Sequence, residues 1–102
     1  MNYFLYRLNS PRPTFPADIT PAESNLMREH FAYWTRLMGQ GQVVAFGPVA
    51  DPKGSYGIAI IRLKEGEDAN VLGANDPVVL ADAGFGFEVY PMPRLILAEL
   101  HA

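Results

Sequence analysis

The chain has 102 residues, which suits one domain, and 49% of them are hydrophobic while 19% are charged. It contains no cysteine, which excludes disulfides, thiolate nucleophiles and metal sites with cysteine ligands, and which fits a cytoplasmic location. Eight scattered basic and eleven acidic side chains give a net charge of −3, so we expect no nucleic-acid partner. No apolar run approaches the ~18 residues of a membrane span, so we expect no membrane association.

The first half of the chain predicts a strand, a loop and a long helix. Residues 3–8 (YFLYRL) are aromatic and branched, which favours a first strand over a signal peptide. Three prolines in residues 11–16 then predict a stiff loop. The tetrapeptide TPAE at 20–23 is typical of a capping box with proline in the first turn, and the helix should run to about Met38.

One face of this helix is apolar, and a histidine lies near its centre. At 100° per residue, His30 shares that face with Leu26, Tyr33, Trp34 and Leu37. Two interpretations stay open for His30. It is either a neutral core residue bonded to a carbonyl or to water, or a general acid/base in a cleft between helix and sheet.

The second half predicts three more strands, over residues 42–49, 56–63 and 85–91. A turn rich in proline and glycine joins the first two as a hairpin. A short, weak helix and then a helical turn capped by Asp76 precede the last strand.

The order β-α-β-β-α-β predicts a ferredoxin-like α+β fold with a four-stranded antiparallel sheet. We expect one domain over residues 1–102, with 91–102 as a C-terminal extension. The helices would cover one face of the sheet only. Because the second and third strands are apolar at nearly every position, we predict that two sheets pair as a homodimer through the open face.

Three residues are candidates for the site. Asp76 is placed to cap its helical turn with one carboxylate oxygen while the other accepts a proton from His30. Arg12, on the proline-rich loop, is either solvated or reaches over a pocket to bind an anionic group of a substrate. His101 is expected to be frayed. Since His30 and Asp76 supply two ligands at most, we predict no metal and no cofactor.

Three segments carry a resemblance to a known family. They are EHFAYWTRL (29–37), VVAFGPVAD (43–51) and NDPVVLADAGFGFEVYP (75–91). In order and spacing they resemble the YCII-related family of the dimeric α+β barrel group. The resemblance implies a ferredoxin-like monomer that pairs sheet to sheet, with an active-site histidine and aspartate that fall on His30 and Asp76.

The wider barrel group includes muconolactone isomerase-like enzymes and cofactor-free monooxygenases. The resemblance therefore implies proton transfer, of isomerase or lyase type, on a small aromatic-derived or anionic compound, with His30 as acid/base. The alternative is a non-catalytic dimer that binds a small molecule or serves as an accessory subunit, with His30 in its core. Haem binding by His30 is the least favoured possibility.

Overall fold

Four strands and three helices follow one another in the order β-α-β-β-α-α-β in the computed structural model, which describes residues 1–98. The strands are β1 (Asn2–Asn9), β2 (Val43–Val49), β3 (Tyr56–Leu63) and β4 (Gly86–Met92). The helices are α1 (Pro21–Gly39), α2 (Ala69–Ala74) and α3 (Pro77–Leu80). His101 and the end of the predicted extension lie outside the described residues.

The sheet has the strand order β2-β3-β1-β4, and every neighbouring pair is antiparallel. The edge strands are thus β2 and β4, and β3 and β1 lie between them. This arrangement confirms the predicted ferredoxin-like fold. None of the helices in residues 1–98 is long and apolar enough to cross a membrane.

Successive side chains of β1 alternate between the two faces of the sheet. Tyr6 is buried, pairs with Ala59 of β3 and Val89 of β4, and faces the helices. Its neighbour Leu5 points to the opposite face, where it pairs with Ile60. The core therefore lies between one face of the sheet and the helices, and the other face is left open.

Helix α1 begins as its sequence predicts. The Thr20 hydroxyl accepts from the Glu23 backbone N–H at 3.1 Å, and the Glu23 carboxylate accepts from the Thr20 N–H at 2.9 Å. The helix packs into the core through Tyr33, Trp34 and Leu37. His30 lies on the same face, between Tyr33 and Trp34 around the helix axis, and its side chain is 14% exposed.

The loop between β2 and β3 forms the predicted hairpin turn. The N–H of Gly54 donates to the carbonyl of Asp51 at 2.9 Å, and the Asp51 side chain accepts from the Lys53 N–H at 2.8 Å. Gly54 has a φ of 142°, which disfavours a side chain. Asp51 thus closes its own turn, and these contacts within the turn explain the aspartate at this position.

Candidate functional site

Asp76 is a fully buried carboxylate at the start of α3. It caps the helix, as its position before Pro77 predicts, because Oδ1 accepts from the backbone N–H of Val78 at 3.2 Å. The cap holds the other oxygen, Oδ2, toward α1 and the sheet. One carboxylate oxygen thus completes local structure while the second serves tertiary contacts.

Three side chains from two elements converge on Asp76 Oδ2. Tyr6 of β1 donates its hydroxyl at 2.9 Å. Trp34 of α1 donates its indole Nε1–H at 2.7 Å. The imidazole Nδ1 of His30, one turn earlier on α1, lies at 2.8 Å. The carboxylate therefore sits where β1, α1 and α3 meet, and these contacts join segments up to 70 residues apart.

The hydrogen bonds decide the charge of this group. Burial by itself opposes ionisation, but the hydrogen bond from His30 and its electrostatic attraction for the carboxylate, followed by the bonds from Trp34 and Tyr6, outweigh it and hold the pKa of Asp76 below its usual value. Burial, followed by the negative charge of Asp76, raises the pKa of the Tyr6 hydroxyl. Asp76 is consequently an anion at neutral pH, and Tyr6 keeps its proton.

The two ring nitrogens of His30 have different surroundings. Nδ1 faces Asp76, whereas Nε2 makes no hydrogen bond within residues 1–98 and is not sealed from solvent. A neutral imidazole carries one proton, and a carboxylate oxygen at 2.8 Å requires a donor on the nitrogen that faces it. In a neutral His30 the geometry thus assigns the proton to Nδ1 and the lone pair to Nε2.

Arg12 lies on the loop before α1 and is held by carboxylates of its own chain. Its guanidinium bonds to both oxygens of Glu23, at 2.7 and 2.8 Å, and lies 3.0 Å from Asp18 Oδ1. Arg12 therefore fixes the proline-rich loop to the start of α1, about 10 Å along the helix from His30. An anionic substrate would have to compete with these carboxylates, and its binding by Arg12 stays a prediction.

The two best-formed surface cavities of the described residues are lined by neither His30 nor Asp76. The larger, of about 300 Å³, lies between the end of β1, the proline-rich loop and the start of β3, with Arg12 in its wall. The other, of about 270 Å³, lies between the start of β1 and the end of β4. His30 thus meets solvent at the protein surface rather than in either cavity.

Sequence reasoning named His30 and Asp76 but missed the other two partners of the carboxylate. The sequence placed Trp34 on the apolar face of the helix and Tyr6 in the first strand, and both are buried. Their polar tips were the available signal, since a buried indole N–H or phenol needs a partner. No group of three metal-ligating side chains occurs within residues 1–98.

The antiparallel sheet, the helices on one face and the buried carboxylate with its histidine define a ferredoxin-like α+β domain. A sequence model of the YCII-related domain matches residues 1–93. The chain belongs to the YCII-related family. A comparison with curated proteins gave no match.

Proposed function

We propose that the protein is an enzyme that moves a proton on a small organic molecule, as an isomerase or lyase without a cofactor. His30 is the acid/base, and Asp76 orients it. The observation that supports this proposal is the contact of 2.8 Å between Asp76 Oδ2 and His30 Nδ1, which leaves Nε2 unbonded within residues 1–98. A proton can pass between this nitrogen and a substrate while the buried carboxylate stabilises the imidazolium.

The surroundings of the pair favour a defined geometry. Trp34 and Asp76 are both 0% exposed, so the support under His30 is rigid and dry. A histidine held in this way contributes about 10²–10⁴-fold to a proton transfer. We expect the substrate to be small and either aromatic-derived or anionic, which is the class the family resemblance implies.

Exchange of carbon-bound hydrogen for deuterium tests this function, because it detects proton transfer whatever the final product is. Enolisable carbonyl compounds, some aromatic and some carboxylated, are incubated with the protein in D₂O and followed by proton NMR. We expect exchange of at least one compound to be faster with the wild type and to fall about 10²-fold or more in His30→Gln. His101→Gln is the matched control and should keep the wild-type rate. If no compound exchanges faster with the wild type than with His30→Gln, the result would instead favour the non-catalytic, ligand-binding alternative.

We also propose that the protein is a homodimer in which a second copy covers the open face of the sheet. Leu5 lies in the middle of this face, between its strand partners Ile60 and Tyr90. Tyr90 is 48% exposed, and Ile58 lies on the same face. These apolar side chains lie beside Arg7 and Glu88, whose charges are 3.9 Å apart on the same face. Neighbouring apolar side chains on an uncovered sheet face are more typical of a protein interface than of a surface in water.

The oligomeric state in solution tests the dimer. Light scattering coupled to size-exclusion chromatography should give twice the chain mass for the wild type. Leu5→Lys should give the mass of one chain, because the lysine charge would be buried in the interface. Glu29→Lys, on the exposed side of α1, is the control. A wild-type monomer would contradict this part of the proposal.

A further inference from the structure

Oδ2 of Asp76 has more hydrogen-bond donors than an orienting contact to one histidine requires. Besides His30, it accepts from Trp34 Nε1 at 2.7 Å and from the Tyr6 hydroxyl at 2.9 Å. The indole N–H can only donate. Both side chains are locked in place, with ring centroids 4.5 Å apart and exposures of 0% and 1%.

We propose that Tyr6 and Trp34 are positioning residues that keep Asp76 an anion while His30 is neutral, so that the resting site presents Nε2 as a base. The inference rests on the acid/base function proposed above and adds the direction of the first proton transfer, from the substrate to His30. A buried carboxylate whose sole donor was an imidazole would depend on a charged imidazolium for compensation. Two permanent donors remove that dependence, since they solvate the charge whatever the state of His30.

This arrangement defines the first chemical step. A substrate C–H or O–H bond breaks, its proton goes to Nε2, and its electron pair stays on the substrate. The resulting imidazolium keeps its Nδ1–H on Asp76. The proton then returns to a different atom in an isomerisation, or goes to a departing group in an elimination. The substrate class is thus a compound with a weakly acidic hydrogen, rather than one that must be protonated first.

The tautomer of His30 is the direct readout. In the His101→Gln background the chain has a single histidine, so its ring signals are unambiguous. Long-range proton–nitrogen correlation spectra of ¹⁵N-labelled protein are recorded at about pH 8.5, where a histidine of ordinary pKa is neutral. We expect the Nδ1–H form to dominate, although a histidine in water favours the opposite tautomer.

Variants that each remove one donor separate positioning from packing. Tyr6→Phe and Trp34→Phe leave the charge of Oδ2 shared by fewer donors, so the Nδ1–H proton of His30 should bond more strongly and shift downfield. Tyr33→Phe is the matched control, because the Tyr33 hydroxyl donates to the carbonyl of Leu72 and not to Asp76. Tyr6→Phe keeps the ring and is the main variant should Trp34→Phe fail to fold.

The outcomes are distinguishable. An Nε2–H tautomer in the wild type overturns the inference, as do downfield shifts no larger than that of Tyr33→Phe. The expected tautomer and shifts, found together with deuterium exchange that is indifferent to His30→Gln, would support the positioning of His30 while overturning the proposed function.

Discussion

Replacing Asp76 should test how much of the fold depends on one buried carboxylate. Asp76→Ala leaves the Tyr6 hydroxyl and the Trp34 indole N–H buried without an acceptor, at about 1–3 kcal/mol each. It also removes the cap of α3, which is worth about 1 kcal/mol. We therefore expect a loss of at least about 3 kcal/mol, out of the about 5–15 kcal/mol that is usual for a domain.

Asp76→Asn should be milder, because its amide oxygen still accepts from the buried donors while its NH₂ group faces the Val78 N–H that it can no longer cap. We expect a loss of about 1–3 kcal/mol, the cost of one unsatisfied buried group. Urea unfolding at a fixed protein concentration measures both variants. Fluorescence is a direct probe, since Trp34 is the only tryptophan of the chain and touches Asp76. Asp76→Ala within about 1 kcal/mol of the wild type would refute the reasoning.

The stability difference between the wild type and Asp76→Asn should depend on pH. The pKa of Asp76 is lower in the folded chain than its unfolded value of about 3.9, so its ionisation stabilises the fold above that pH. This contribution disappears as the pH falls through the folded pKa. The stability difference between wild type and Asp76→Asn should therefore shrink as the pH falls below about 4. A difference that grows over that range would contradict the assigned charge.

Two further predictions concern the packing around the site. Gly73→Ala should destabilise the protein, because a Cβ there would lie 2.6 Å from the Phe87 ring and 3.1 Å from Tyr6. The overpacking should cost about 1–3 kcal/mol, which exceeds the gain in helix propensity of at most about 1 kcal/mol. Thermal unfolding of the variant and the wild type measures the difference. Glu23→Gln should lower the melting temperature near neutral pH, since the bonds from Arg12 lower the pKa of Glu23 to about 2. That deficit should close as the pH falls from about 4.5 toward 2, and a deficit independent of pH would exclude the ion pair as its cause.

The sequence by itself determined the elements whose cause is local. Thr20 and Glu23 are three residues apart, so the capping box and the start of α1 follow from the chain alone. The Asp76-Pro77 pair likewise predicts a helix start, and the alternation of β1 predicts which side chains share a face. The fold class followed because few arrangements of this element sequence are compact.

The tertiary structure decided which polar atoms meet. Tyr6 and Asp76 are 70 residues apart, and no periodicity in the sequence connects a strand phenol to a helix cap. For Arg12 the sequence left a solvated side chain and an anion-binding one as alternatives, and it did not show the contacts with Glu23 and Asp18, which arise because the loop brings carboxylates of the same chain within reach. Hydrophobic patterns specify which face of an element is buried, whereas hydrogen-bond partners depend on positions within about 3 Å, which exist only once the elements have packed.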